Sequence, residues 1–234
     1  MKKILMTIAA AFITVVSANA QFEKGTWSLQ PYAGGVVSSV TNVAPLDLGT
    51  GQELKKKMAV GYILGGEAEY QFSKKFSAAA GVNYTSQGCA WEDIDYWDGP
   101  VRVKVKDQND ILGYIKVPLV VNYYVFKGFA VKAGLQFGFM VTSKFFARGE
   151  TEMDVFGDGV MRDVDLYGLV DMDNLYEKFD FSIPVGVSYQ FKVPVTIDAR
   201  YQIGLTRLNK ETYPGVNNSK NSVFTLTVGY KFAL

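Results

Sequence analysis

Eight charged residues occupy the small-residue face of segments in which every second residue is apolar. They are Glu67, Glu69, Lys116, Lys132, Lys178, Asp180, Asp198 and Arg200. Acids and bases occur in comparable number, so every ion can find a partner of opposite sign. Because buried charge is costly unless it is paired, this set favours an internal salt-bridge network. A selective polar channel is the alternative interpretation.

The residue types most used in catalysis are scarce. The 234 residues include no histidine and one cysteine, Cys89. Without histidine the chain lacks the commonest general base and the commonest metal ligand, and a single cysteine excludes an internal disulfide or a CxxC motif. The histidine–serine mechanism of small lipid-modifying barrels is also excluded. We therefore expect no enzyme activity, no cofactor and no metal site, and we interpret Cys89 as an unpaired thiol.

Two long polar stretches carry other residues of interest. Residues 144–175 include eight carboxylates, which are suitable ligands for Ca²⁺, but their spacing does not match an EF-hand. We favour a solvated acidic loop. Residues 89–110 include Trp91, Tyr96 and Trp97, and exposed aromatic residues are common in protein contacts. A loop packed on itself, or a hairpin with alternating Val101, Val103 and Val105, is the favoured alternative to a partner contact.

The first 20 residues have the pattern of a secretory signal peptide. Lys2 and Lys3 precede an apolar run, residues 4–16, which is short for a membrane helix. Ala18-Asn19-Ala20 then gives the small-x-small cleavage pattern. We predict cleavage after Ala20 and a domain that covers residues 21–234.

The rest of the chain consists of eight segments with apolar residues at every second position, the pattern of two-faced β-strands. They cover about 26–38, 59–72, 75–88, 111–125, 129–143, 176–191, 195–207 and 222–234. Short connections at 73–74, 126–128 and 192–194 alternate with long ones at about 39–58, 89–110, 144–175 and 208–221. An even strand number, with short turns at one end and long loops at the other, is typical of outer-membrane barrels.

The polar face decides which side of the barrel faces outward. It consists mainly of Gly, Ser, Thr, Gln and Asn, whereas a water-facing surface carries many more Lys and Glu residues. Small and amide side chains suit the packed interior of an eight-stranded barrel. Aromatic residues of the apolar face gather near the short turns, as in an interfacial girdle. The sequence therefore predicts an all-β, eight-stranded antiparallel up-and-down transmembrane β-barrel, rather than a soluble barrel with an apolar interior.

Several segments resemble a known family. DILGYIKVPLVVNYYVFKGFAVKAGLQFGFMVTSK, FDFSIPVGVSYQF, DARYQIGLTRL and the terminal GYKF are similar to the PorT-like outer-membrane β-barrel proteins of Bacteroidetes. The resemblance covers the whole mature chain and implies a Gram-negative outer membrane. The founding member is an accessory to type IX secretion, so a similar role is one expectation among several.

The chain ends as part of a strand pattern. Thr227, Gly229, Phe232 and Leu234 resemble the terminal signal that the barrel-assembly machinery recognises in its clients, although phenylalanine is commoner than leucine at the last position. We expect both termini to be periplasmic and the long loops to be extracellular. The expected partners are outer-membrane lipid and lipopolysaccharide, the assembly machinery, and proteins that contact residues 89–110 and 144–175.

With 24 basic and 23 acidic side chains, the sequence has no charge pattern for nucleic acid. The function we expect is that of a non-enzymatic barrel with a filled lumen, acting as a scaffold, a surface-interaction protein or a secretion accessory. A narrow solute channel is the alternative.

Overall fold

A computed structural model gives the fold and describes residues 23–43, 46–47, 53–98, 101–153, 162–210 and 216–234. The predicted signal peptide, with Ala18 and Ala20, lies outside these residues, so its cleavage stays a prediction. Within the described ranges no helix is long and apolar enough to cross a membrane.

The described residues form strands joined by turns and irregular segments. In chain order the strands are β1 (Trp27–Val43), β2 (Leu46–Asp47), β3 (Glu53–Leu54), β4 (Lys56–Gln71), β5 (Phe76–Trp91), β6 (Ile94–Asp98), β7 (Val101–Phe126), β8 (Phe129–Met153), β9 (Arg162–Asp171), β10 (Phe179–Gln190), β11 (Val195–Gly204), β12 (Val216–Tyr230) and β13 (Phe232–Ala233).

Eight of these strands close into a ring. Their order is β1-β4-β5-β7-β8-β10-β11-β12, every neighbouring pair is antiparallel, and β12 pairs back with β1. This arrangement confirms the predicted eight-stranded antiparallel up-and-down barrel. The two-stranded β2–β3 hairpin stands apart from the ring.

Side-chain alternation places the polar face inside. Ser77, Thr85 and Asn122 are completely buried, although they are polar. Outward-facing residues such as Leu64 and Val121 are about half exposed. An apolar exterior around a polar interior is the arrangement of a membrane barrel, and the inward–outward assignment made from the sequence is confirmed.

Three short turns lie at one end of the ring, which we call the turn end; the opposite end is the loop end. The turns follow β4, β7 and β10, as predicted. Gly128 shows why one of them is so tight: its φ is 85°, and a Cβ there would lie 2.5 Å from the carbonyl oxygen of Gln190. Only glycine fits such a position without strain.

Aromatic side chains encircle the outside of the turn end. The ring centroids of Trp27 and Tyr70 are 4.9 Å apart, and those of Phe76 and Tyr123 are 5.0 Å apart. Phe126 stacks on Phe129 at 4.9 Å. This confirms the predicted clustering of aromatic residues near the short turns.

Much of the long connections predicted at residues 89–110 and 144–175 is strand. β7 and β8 have 26 and 25 residues, about twice the predicted length, and remain paired beyond the ring. β6 adds to β7 and β9 adds to β8. The result is a four-stranded projection at the loop end, β6-β7-β8-β9, which we call the loop-end sheet. The hairpin alternative for residues 89–110 is the one confirmed.

The last residues of the chain complete the ring. Ala233 pairs with Ser28, and the backbone N–H of Leu234 donates to the carbonyl oxygen of Trp27 over 2.9 Å. The N–H of Lys231, between β12 and β13, donates to the carbonyl oxygen of Pro194. The chain terminus is therefore held on both sides instead of fraying.

Candidate functional site: the lumen and the loop-end cavity

Arg200 of β11 lies at the centre of the charged network in the lumen. Its Nη2 donates to Glu67 Oε2 and to Asp198 Oδ2 over 2.8 and 2.9 Å, and its Nε donates to Asp198 Oδ1 over 2.8 Å. The ammonium of Lys132 donates to the same Asp198 carboxylate. Two carboxylates and two cations, all buried, thus form one continuous cluster across β4, β8 and β11.

A second ion pair lies closer to the turn end. The Lys231 ammonium donates to Glu69 Oε2 over 2.7 Å, while the hydroxyls of Tyr124 and Ser77 donate to Glu69 Oε1 over 2.6 and 2.7 Å. Asn122 in turn donates to Ser77. Every bond of the Glu69 carboxylate therefore comes from a buried donor, which is the condition under which a buried charge is tolerated.

Lys116 forms the next layer toward the loop end. It is 1% exposed, and its ammonium donates to Gln87 Oε1 and Gln202 Oε1 over 2.6 and 2.7 Å. Gln136 also donates to Gln202 and to Ser182. Amide oxygens thus hold this ammonium in place of a carboxylate.

The uppermost lumen carboxylate, Asp180, accepts a hydrogen bond from Asn221 over 2.8 Å, and Asn221 also donates to the Tyr114 hydroxyl. Above it the lumen becomes apolar. This apolar layer consists of the buried residues Val40, Cys89, Leu112, Tyr114, Met140 and Leu208. The polar lumen is therefore capped by packed hydrophobic side chains on the side of the loop end.

The structure places seven of the eight predicted residues in the lumen and Lys178 outside it. Five of the seven form ion pairs there, whereas Lys116 and Asp180 are buried with neutral hydrogen-bond partners. Lys178 lies at the loop end outside the lumen, where its exposed ammonium pairs with exposed Asp173. It precedes β10 by one residue, so strand alternation does not apply to it. The missing cation is Lys231, which is 3% exposed. Lys231 follows Thr225, Thr227 and Gly229 at every second position, on the inward face of the last strand. Its place in the lumen could therefore have been predicted from the sequence.

With Lys231 included, the described lumen holds four acids and four bases. The acids are Glu67, Glu69, Asp180 and Asp198, and the bases are Lys116, Lys132, Arg200 and Lys231. The space left beside Arg200 and Gln202 is about 10 Å³, which is enough for about one water molecule. The centre of this lumen is therefore filled by side chains.

A separate cavity of about 140 Å³ lies at the loop end, above the apolar layer. Its walls include Val40, Trp91, Asp110, Leu175, Tyr176 and Leu208. Asp110 Oδ2 accepts hydrogen bonds from the Trp91 indole over 2.9 Å and from the Cys89 thiol over 3.1 Å. No sequence pattern indicated this site, because its walls come from strands and connections far apart in the chain.

Burial governs the chemistry of Cys89 and Asp110, two of the ionisable groups in this cavity, which lie beyond the membrane-spanning part of β5 and β7. Burial raises the pKa of the Asp110 carboxyl, while hydrogen bonds from Cys89 and Trp91 oppose that rise. Burial, followed by the neighbouring Asp110 charge, also raises the pKa of the Cys89 thiol. Because the thiolate is the nucleophilic form of cysteine, this environment favours an unreactive thiol. Cys89 is a free cysteine, as predicted.

A metal site is not found in the part of the chain that the structure describes: no group of three or more His, Cys, Asp or Glu side chains there could hold an ion. Most of the acidic stretch considered for Ca²⁺, residues 150–165, lies outside the residues whose side chains are described. The Ca²⁺ alternative therefore stays untested.

The closed ring, the apolar exterior and the polar interior define the class of protein: a β-barrel that crosses a membrane with its strands. Residues 19–210 match the family described as outer membrane protein beta-barrel domain. The chain belongs to this family and is an outer-membrane β-barrel protein. The finer resemblance to PorT-like barrels remains a resemblance.

Solved structures with a similar fold are outer-membrane proteins of low sequence identity. The attachment invasion locus protein Ail of Yersinia pestis is 14% identical, with a TM-score of 0.41 over 89% of this chain and 99% of Ail. Neisserial surface protein A is 14% identical, with a TM-score of 0.39 over 88% and 97%. OprG from Pseudomonas aeruginosa is 14% identical, with a TM-score of 0.34 over 92% and 100%. No protein of curated function matches the chain.

Proposed function

We propose that this barrel is a non-enzymatic membrane protein that does not conduct solutes and acts through the parts that project from its loop end. The observation that carries the proposal is the filled lumen. Four acids and four bases occupy its polar part, and the apolar layer above them closes it toward the loop end. An eight-stranded barrel is just wide enough for side chains to fill, so the packed interior serves stability.

Planar-bilayer recording tests this proposal against the alternative of a narrow solute channel. The purified barrel, shown to be folded by its heat-dependent migration, should insert without producing stable conductance steps at low voltage. A wide porin inserted under the same conditions provides the positive control. Stable, reproducible steps from the folded barrel would contradict the proposal and support the channel.

The loop-end sheet is the surface best suited to contact other molecules. Tyr167, Leu169 and Val170 of β9 are each more than half exposed, and among the described residues β9 pairs only with β8. Exposed apolar side chains on a projecting edge strand are typical of interaction surfaces. A scaffold, a surface-interaction protein and a secretion accessory like the PorT-like barrels would all use such a surface.

The proposed orientation places the termini and the turn end in the periplasm and the loop-end sheet outside the cell. A protease added to intact cells should then cut within residues 144–175 and leave the turns at Lys74, Lys127 and Lys192 intact. Lysed cells provide the control, since both ends become accessible there. Cleavage of the turn end in intact cells, with residues 144–175 protected, would reverse the orientation.

A further inference from the structure

The loop-end cavity has no role in the proposed function, and a molecule bound there would act independently of it. The volume of the cavity, about 140 Å³, is close to that of apolar protein cavities that bind benzene, about 150 Å³. Val40, Leu175 and Leu208 supply apolar walls. The cavity therefore fits a small molecule with an apolar body of about six carbon atoms.

A single acidic group distinguishes this cavity from a purely apolar one. Asp110 is 5% exposed, and the hydrogen bonds it accepts come from the neutral side chains of Cys89, Trp91 and Tyr176. A buried carboxylate that has only neutral donors lacks the opposite charge that normally accompanies burial. A buried carboxyl group thus borders an apolar space, and its ionised form has no charged partner among the described residues.

None of the described Lys or Arg residues forms an ion pair with the Asp110 carboxyl group. The internal ranges outside the described residues (44–45, 48–52, 99–100, 154–161 and 211–215) contain no Lys, Arg or His. Lys56, whose charge acts on Cys89, donates its ammonium to the carbonyl oxygen of Val40. A bound cation would therefore bring Asp110 the charged partner that the described residues do not provide.

We propose that this cavity binds a small organic cation, a ring-sized apolar body carrying a protonated primary amine, with the ammonium paired to Asp110. Aromatic faces attract cations, and Trp91 and Tyr176 both line the cavity. Leu175 is 37% exposed, and Trp91 and Tyr176 are only part-buried, so the cavity borders the surface at the loop end. A ligand can therefore reach it without crossing the filled lumen.

Benzylamine, which is protonated at neutral pH, is the probe, and benzyl alcohol is its neutral counterpart of nearly equal size. In a Trp27→Phe/Trp97→Phe background Trp91 is the only tryptophan, so its fluorescence reports on the cavity. Benzylamine should change this emission saturably and should slow alkylation of Cys89, the only cysteine. Benzyl alcohol should bind at least about tenfold more weakly, because it brings no charge to the buried carboxylate.

Asp110→Asn keeps the side-chain shape and removes the charge, so benzylamine affinity should fall at least about tenfold. Asp107→Asn is the matched control: it removes an exposed carboxylate from the same strand, in a left-handed conformation (φ 50°) that asparagine tolerates. It should leave binding unchanged.

Equal binding of benzylamine and benzyl alcohol to the natural protein would overturn the proposal, even without results from an Asp110 variant. So would absence of saturable binding, or unchanged affinity in a folded Asp110→Asn protein.

Discussion

Replacing Arg200 by methionine will lower the free energy of unfolding of this barrel by about 3–5 kcal/mol, the usual cost of removing one partner from a buried ion cluster. Arg200 donates to both Glu67 and Asp198, and both carboxylates are buried. After the substitution Lys132 remains as a cation for Asp198, but Glu67 loses both of its charged hydrogen bonds. Urea titration in lipid vesicles, followed by tryptophan fluorescence, measures the change.

Two further variants show whether the effect comes from uncompensated charge. Lys178→Met breaks an exposed ion pair and should change the free energy of unfolding by less than about 1 kcal/mol. Adding Glu67→Gln to Arg200→Met removes the stranded charge and should restore part of the lost stability. If Arg200→Met is no more destabilising than Lys178→Met, the central cluster does not stabilise the lumen.

Deleting residues 232–234 should remove most of the protein from the outer membrane of growing cells. The deletion takes away β13 and the hydrogen bond from Leu234 to Trp27 that closes the ring. It also removes two of the four residues that resemble the assembly signal, Phe232 and Leu234. Immunoblotting of outer-membrane fractions, together with heat-dependent migration, measures the folded amount.

Refolding from urea into detergent distinguishes loss of the assembly signal from loss of stability, because no assembly machinery is present. The deletion removes a few backbone hydrogen bonds, each contributing about 1 kcal/mol. It should therefore lower the free energy of unfolding of the refolded barrel without preventing refolding. A barrel that refolds in detergent but is missing from cells would show that the terminus is a signal. Leu234→Phe, which supplies the commoner terminal residue, should accumulate at least as well as the natural chain. Normal accumulation of the deleted chain would contradict the signal hypothesis.

Strand alternation made most of the fold predictable. A period of two over eight segments fixes which residues face inward, because one face of each strand packs in the lumen and the other contacts lipid. The three tight turns were predictable from their sequences, and Gly128 shows the backbone reason in one of them. The short connections made three antiparallel neighbouring pairs predictable, β4–β5, β7–β8 and β10–β11. The alternation of short and long connections suggested the up-and-down order of the other pairs.

The loop-end elements were less predictable for physical reasons. β7 and β8 continue beyond the ring. Val101, Val103 and Val105 keep the apolar alternation, but the polar run at 107–110 separates them from the alternation of the ring strand. Lys178 was assigned to the lumen because the predicted strand began at about residue 176, three residues before β10 begins at Phe179. The loop-end cavity depends on residues such as Val40, Asp110 and Leu208, which are distant in sequence and become neighbours only when the ring closes.

The pairing of β1 with β12 also dictates when this protein can fold. Tyr32 and Gly229, partners across the closing pair, are separated by nearly the whole length of the chain. Contacts of such long range form slowly and only after most of the loop entropy has been lost. The ring cannot close until β12 has been synthesised and delivered. Until then the barrel stays open, and the first strand lacks its β12 partner although its pairing with β4 is available.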